Sequence, residues 1–180
     1  RSTLKKNLDG TFTLKTKDMY CYYFNKDGYL YQMSDRNGNS VKISYSDNKG
    51  KISTIEDSVG RKITLEYNGN NLISAVRDQA GRTIRYEYTN KLLSKVVDVE
   101  GNEQTYEYDS EKYLKTAKDS YGKTILAVEY DHNSAMNKDK AYKVTDAYGN
   151  VLTYTYDNTN SKTTITDSQG RQQIEWYDSS

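Results

Sequence analysis

Few side chains in this sequence have chemistry to offer. His132 is the only histidine and Cys21 the only cysteine, whereas aspartate and tyrosine recur along the whole chain. His132 stands in the polar stretch DHNSAMNKDK, residues 131–140. A catalytic dyad or metal centre built on it needs Cys, His or carboxylate partners at ligand spacing, and only Asp131 is adjacent in sequence, so it reads as a loop residue. Cys21, in YCYYF, reads as a small half-buried strand residue rather than a nucleophile, and a lone cysteine forms no intrachain disulfide. The stretch DRNGN at 35–39 has the acidic spacing of a calcium loop. Its glycine comes fourth rather than sixth and the bidentate Glu at the twelfth place is missing, so it reads as a turn. No carboxylate pair, triad, phosphate loop or zinc spacing is present. The expectation is no enzyme, no cofactor and no metal.

The aspartates are ordered. The pattern D-x-x-G occurs at Asp35/Gly38, Asp57/Gly60, Asp78/Gly81, Asp98/Gly101, Asp119/Gly122, Asp146/Gly149 and Asp167/Gly170, at spacings of 20 to 22 residues with one of 27. Asp at the first and Gly at the fourth position suit a type I turn. The Asp side chain accepts from backbone N–H groups ahead of it, and Gly takes the positive φ that leads into a strand. Seven such aspartates stacked on one edge offer weak cation binding only if those oxygens are not already spent on the backbone.

Beyond each glycine the residues alternate. Three places on stand Val41, Ile63, Ile84, Gln104, Ile125, Leu152 and Gln173; five on stand Ile43, Leu65, Tyr86, Tyr106, Ala127, Tyr154 and Glu175. Seven on comes a tyrosine: Tyr45, Tyr67, Tyr88, Tyr108, Tyr156 and Tyr177, with Tyr130 one place late, an offset that a β-bulge absorbs. Period two places these on one strand face. In the last repeat Ile174 and Trp176 fall in the opposite phase, which leaves the facing of that strand open. A variable turn follows each tyrosine, and then a second apolar segment. Two residues before the next Asp stand Met33, Ile55, Val76, Val96, Ala117, Val144 and Ile165; five before it stand Leu30, Ile52, Ile73, Leu93, Leu114, Ala141 and Lys162. A spacing of three suits a helical turn, but the segments are short and rich in Val, Ile and Thr, which favours a bulged or strongly twisted strand.

One repeat is therefore a β-hairpin of about 21 residues. The expected fold is all-β: tandem antiparallel hairpins in a single array over residues 1–180, with divergent opening hairpins at 1–34 and seven repeats from 35, the last incomplete. Bulk composition agrees. Nineteen tyrosines stand against one Trp and two Phe, and proline is absent, as expected of half-buried strands that need every ladder N–H. Lys and Arg number 26 against 25 acidic residues, a net charge of +1. That balance makes no case for nucleic acid or an anionic membrane, and no apolar run is long enough for a membrane span or a signal peptide. The chain begins at Arg1 without an initiator Met, which reads as an excised piece of something longer.

The unit D-x-x-G, tyrosine, then Leu and an apolar residue before the next Asp, resembles the YD repeats of RHS proteins. Tyr108-Asp109, Tyr130-Asp131, Tyr156-Asp157 and Tyr177-Asp178 carry the dipeptide; Tyr45-Ser46, Tyr67-Asn68 and Tyr88-Thr89 depart from it. FNKDGYLYQMSDRNGN, residues 24–39, is similar to a phrase of large bacterial wall-associated members. The resemblance runs from about Asp9 to Asp178. It implies a structural module, an arc of a twisted β-spiral shell that encapsulates the C-terminal toxin of a large secreted or surface-displayed bacterial protein; animal teneurins share the repeat. Its partners would be neighbouring repeats and the toxin cargo. The variable tail and the self-cleaving motif of such proteins are absent from this stretch, so killing activity is not implied for it.

Two further expectations concern partners. Open strand edges predict edge-to-edge self-association. The tyrosine row supports either packing between hairpins or, alternatively, a platform for cell-wall polysaccharide. Sugar-binding hairpin arrays of similar period lean on Trp, and this chain has one, Trp176, outside the repeated positions.

Overall fold

The computed structural model describes residues 1–47 and 50–178; of the expected 1–180 array, residues 48, 49, 179 and 180 lie outside the described residues. Strands and turns account for the described residues, with no helix among them. Contacts divide the chain into two compact units, Arg1–Tyr86 and Glu87–Ser180. The first holds β1 (Thr3–Lys6), β2 (Phe12–Lys15), β3 (Cys21–Phe24), β4 (Leu30–Ser34), β5 (Ser40–Tyr45), β6 (Ile52–Asp57), β7 (Lys62–Tyr67), β8 (Ile73–Asp78) and the start of β9 (Thr83–Thr89). Each pairs antiparallel with the next. The second holds β10 (Leu92–Val97), β11 (Glu103–Tyr108), β12 (Leu114–Lys118), β13 (Thr124–Asp131), β14 (Lys140–Asp146), β15 (Val151–Asp157), β16 (Lys162–Asp167) and β17 (Gln172–Trp176), again paired antiparallel in sequence order. The fold is all-β and built from consecutive antiparallel hairpins, as the repeat predicts.

The alternation read from the sequence is clearest in β5 and β9. In β5, Val41, Ile43 and Tyr45 are half-buried while Lys42 and Ser44 are exposed. In β9, Ile84, Tyr86 and Tyr88 are half-buried while Arg85 and Glu87 face solvent. In β17 all five side chains are exposed, Ile174 and Trp176 among them. The outward face is laced by charge pairs between neighbouring strands, such as Lys62–Glu56 at 3.0 Å and Lys143–Glu129 at 2.8 Å.

The spacing of three in the second strands comes from bulges. Tyr45 stands opposite Ile52 while Ser44 stands opposite Thr54, which leaves Ser53 as the extra residue. Ser74, Lys115 and Tyr142 are extra in the same way, each directly after the partner of Tyr67, Tyr108 or Tyr130. A bulge residue between two apolar positions restores them to one face despite odd spacing. The exception agrees. Tyr156 pairs with Thr163 in regular register, and there the position five before the Asp is Lys162 rather than an apolar residue. The extra residue ahead of Tyr130 is taken up by a bulge on the other side of its strand, where Ala117 faces Leu126 but Lys118 faces Thr124, leaving Ile125 over.

The core is thin. Among the described residues Ala75 and Ala117 are the only buried hydrophobic ones, at 6% and 5% exposure, and no side chain is fully enclosed. Apolar surface is instead half-covered everywhere, so each hairpin depends on its neighbours for burial.

Backbone strain at the turns should be measurable. Gly60 has φ +84° and a Cβ added there would meet nothing within 4 Å, so the cost of a side chain is purely conformational. We predict that Gly60→Ala lowers stability by about 1 kcal/mol, and that Gly60→Asn costs less, since Asn71 takes φ 64° in a turn of the same kind. Urea unfolding of the two variants checks this, and an alanine variant as stable as the parent chain would refute it.

Candidate functional site

The recurring residues build one local device. In every D-x-x-G turn the glycine N–H donates to the aspartate carbonyl at 3.0–3.3 Å, and the aspartate N–H donates to the carbonyl four residues on. The seven glycines read from the sequence as turn residues, Gly38, Gly60, Gly81, Gly101, Gly122, Gly149 and Gly170, take φ between +78° and +88°. This is a type I turn followed by a left-handed glycine, a hairpin loop whose twist suits the strands it joins. All seven are exposed. A glycine brings no side chain to a ligand, and these seven present only backbone at the tip of each turn. The aspartate Oδ1 accepts two backbone N–H groups at 2.8–3.0 Å, for example those of Asn37 and Asn39 at Asp35 or of Tyr121 and Lys123 at Asp119. The same holds at Asp57, Asp78, Asp98, Asp146 and Asp167.

Sequence reasoning missed the residue after the glycine. Asn39, Asn102 and Asn150, which follow Gly38, Gly101 and Gly149, donate their amides to Oδ2 at 2.7–2.8 Å. Arg61, Arg82 and Arg171, which follow Gly60, Gly81 and Gly170, donate Nε at 2.6 Å. The signal was present as D-x-x-G-(N/R), with Lys123 after Gly122 the variant. These bonds from the residue after the glycine hold the carboxyls of Asp35, Asp78, Asp98, Asp146 and Asp167 below their ordinary range. At Asp57 partial burial opposes the shift, and the bonds from Arg61 override it.

The tyrosine closes the other end of the same hairpin. Tyr45 donates its hydroxyl to the Leu30 carbonyl at 2.6 Å, Tyr67 to Ile52 at 2.8 Å, Tyr108 to Leu93 at 2.9 Å and Tyr156 to Ala141 at 2.6 Å, in each case 15 residues back. The acceptors lie at the starts of β4, β6, β10 and β14, the strands that enter each turn. The backbone ladder of those hairpins pairs only three residues beside the turn: β6 meets β7 from Thr54 to Glu56, and β14 meets β15 from Lys143 to Thr145. Beyond that the strands part, and the phenol spans the gap. Burial raises the pKa values of Tyr45, Tyr108 and Tyr156.

Four of the ladder rings have a neighbouring side chain laid against them. Tyr29 lies 5.4 Å from Tyr45, Tyr113 lies 5.1 Å from Tyr130, and the ammonium groups of Lys51 and Lys140 sit over Tyr67 and Tyr156 at 5.7 and 4.6 Å. Tyr88 is half-buried in β9. Tyr177 is the most open, with its hydroxyl 3.1 Å from the Asn158 side chain.

The second member of the tyrosine–aspartate dipeptide also has a physical role. Asp109 accepts the N–H groups of Glu111 and Tyr113, and Asn68 those of Asn70 and Leu72, in the same turn geometry, with Lys112 and Asn71 in the left-handed place of glycine. Phe24-Asn25 repeats the arrangement, ending at Gly28. Where Thr89 stands in place of Asp, the chain turns instead through Asn90 and Lys91, both at positive φ.

His132 has partners that adjacency did not reveal. Its Nδ1 lies 2.8 Å from Asp139 and its Nε2 lies 3.0 Å from Asp109, 23 residues upstream on the preceding turn. The two carboxylates sit on opposite ring nitrogens, so they do not converge on one point. Among the described residues no group of three or more His, Cys, Asp or Glu is arranged to hold a metal ion. Shallow open concavities of about 490, 450, 440 and 420 Å³ recur between consecutive aspartate turns, at 35/57, 57/78, 98/119 and 146/167. They repeat with the unit instead of marking one centre.

Such a chain is a tandem β-hairpin repeat protein whose repeated side chains close hairpins. The sequence model of the Teneurin YD-shell family matches residues 10–118, more than half of the chain. The chain belongs to the teneurin YD-shell family. Beyond residue 118 the turns at Asp119, Asp146 and Asp167 make the same bonds. No curated protein matches the sequence. Among solved structures it is similar to TcdB2-TccC3-Cdc42, with a TM-score of 0.53 and 13% identity over 93% of this chain and 11% of that chain. TcdB2-TccC3 without its hypervariable C-terminal region gives 0.52, 13%, 93% and 11%, and the Photorhabdus luminescens Tc holotoxin pore gives 0.50, 13%, 91% and 11%. At these identities the likeness is one of fold, and this chain spans about a tenth of the length of those chains.

Both closures can be tested singly. Tyr67→Phe keeps the ring and loses the bond to the Ile52 carbonyl, and is predicted to cost about 1 kcal/mol in urea unfolding. Asp57→Ala should cost about as much, like loss of a helix cap, while Asp57→Asn should cost less, because Asn25 and Asn68 cap equivalent turns. Equal losses for Ala and Asn would mean that the oxygen acceptor is not what matters. A depressed carboxyl contributes stability above its unfolded value near 3.8 and loses it as pH falls through the lower folded value. Unfolding midpoints should therefore fall as pH drops below about 4, and a chain equally stable at pH 3 and pH 7 would contradict this.

Proposed function

We propose that this chain is a wall segment: a structural module of a β-shell that encloses the C-terminal toxin of a large secreted or surface-displayed bacterial protein. One observation carries the reading. The side chains that recur are committed internally: the aspartates of all seven D-x-x-G turns accept backbone N–H groups, and Tyr45, Tyr67, Tyr108 and Tyr156 donate to backbone carbonyls. What the repeat preserves is the closed hairpin, and a hairpin with so thin a core is of use when laid against its neighbours. Family membership and the fold likeness to Tc toxin components support the shell and, with it, a location outside the cell and a single continuous array.

The alternative of a polysaccharide platform has less support. Sugar stacking needs exposed ring faces, whereas Tyr45, Tyr67, Tyr108 and Tyr156 are half-buried with their hydroxyls engaged, and the rings of Tyr45, Tyr67 and Tyr156 have a neighbouring group against them.

Electron cryomicroscopy of the full-length parent chain is the test. The expected result places these strands in the wall of a hollow shell with the C-terminal segment inside. A solid stalk with an external tail would overturn the reading. Co-sedimentation of this chain with purified cell-wall polysaccharide is expected to be negative; binding that is lost on replacing ladder tyrosines would favour the platform.

A further inference from the structure

The longest turn, residues 131–140, is tied down on both flanks. Inside it, the Asp139 N–H donates to the Asp131 carbonyl at 2.8 Å and the Asn137 N–H to Ser134 Oγ at 3.0 Å. Toward the following turn, the Asn158 amide donates to the Met136 carbonyl at 3.2 Å and to Asn137 Oδ1 at 2.9 Å. Toward the preceding turn the tie is His132, flanked by the rings of Tyr113 and Tyr130 at 5.4 and 5.9 Å and bonded to Asp139 and Asp109.

Ionised carboxylates only accept hydrogen bonds, and a neutral imidazole has a single N–H. Both bonds can exist together only when both ring nitrogens carry protons. We propose that His132 is a protonation-controlled latch, closed as the imidazolium between Asp109 and Asp139, which holds the 131–140 loop against the preceding turn.

Loss of one proton turns a ring lone pair toward a carboxylate, so one of the two ties must open. The ionisable groups around the imidazole are Asp109 and Glu111 on the preceding turn, Tyr113 beside it, Tyr130 on β13, and Asp131, Lys138 and Asp139 in the loop. Bonds from Asp139 and then Asp109 raise the His132 pKa above the ordinary 6.5. The carboxyls of Asp109 and Asp139 are lowered and the phenols of Tyr113 and Tyr130 are raised, so these four do not titrate in the same window. A raised histidine value sets the sign: the latch is fully closed below 6.5 and opens as pH rises through the folded value.

The test is NMR on the intact chain, following the His132 ring protons and the hydrogen-exchange protection factors of amides 132–139. Expected are a titration midpoint above 6.5 and a loss of loop protection of about tenfold per unit by which the midpoint is raised, with β15 and β16 unchanged. Asp109→Asn should bring the midpoint down and weaken loop protection at mildly acid pH, yet keep the 109–113 turn, since Asn68 makes the same cap. If that variant does not fold, Asp139→Asn removes the other charge at a φ of 63° that Asn accepts. A midpoint at or below 6.5, or loop protection indifferent to the titration, would overturn the latch.

Discussion

A strand that leaves its partner after three residues must satisfy its backbone some other way, and everything else in this structure follows from how that is done. Four of the hairpins around the D-x-x-G turns, those of Tyr45, Tyr67, Tyr108 and Tyr156, are zipped only at the turn; their far ends are joined by a phenol reaching across to a carbonyl. One side chain thereby replaces a missing ladder rung and supplies apolar ring surface at the point where the strands part. Tyrosine alone among the aromatics combines a ring of that size with a terminal hydroxyl that donates along its long axis. Four of the nineteen tyrosines are spent on that bond.

The opposite end of each hairpin obeys the same economy. A carboxylate with two acceptor oxygens satisfies two backbone donors with one and holds the residue after the glycine with the other. With so little buried apolar surface, hydrogen bonds from side chain to backbone have an unusually large part in defining the unit, and contact with the neighbouring hairpins supplies the burial that a lone one lacks. That division of labour suits a repeated wall better than a free-standing site, whose polar groups would have to be left available.

Much of this was legible in the sequence. The D-x-x-G period located the turns, and period-two alternation located the half-buried face of strands such as β5 and β9, because both are local consequences of backbone geometry. The odd spacing between Ile52 and Ile55 pointed to a bulged strand, and Ser53 is the residue inserted. What could not be read were contacts made by topology. The Leu30 carbonyl is 15 residues from Tyr45, and nothing in either residue announces the bond. His132 looked solitary because Asp109, 23 residues away, reaches it only once two turns stand side by side. The role of Asn39, Arg61 and their equivalents was visible in the pattern and overlooked, since Asn and Arg after a glycine suggest nothing until the free oxygen of the aspartate is counted.

The constant reach of the tyrosine has an evolutionary corollary. From acceptor carbonyl to phenol the count is 15 at Tyr45, Tyr67, Tyr108 and Tyr156 alike, so the tether acts as a ruler on that half of the unit. An added residue there would pull the hydroxyl out of range. The other half carries no such gauge, and there the turns run from the two residues Asn90 and Lys91 to the long stretch between β13 and β14. Growth by insertion is thus channelled to a single margin of the hairpin stack, and loops that acquire new recognition or regulatory roles would arise on that margin while the opposite one stays uniform.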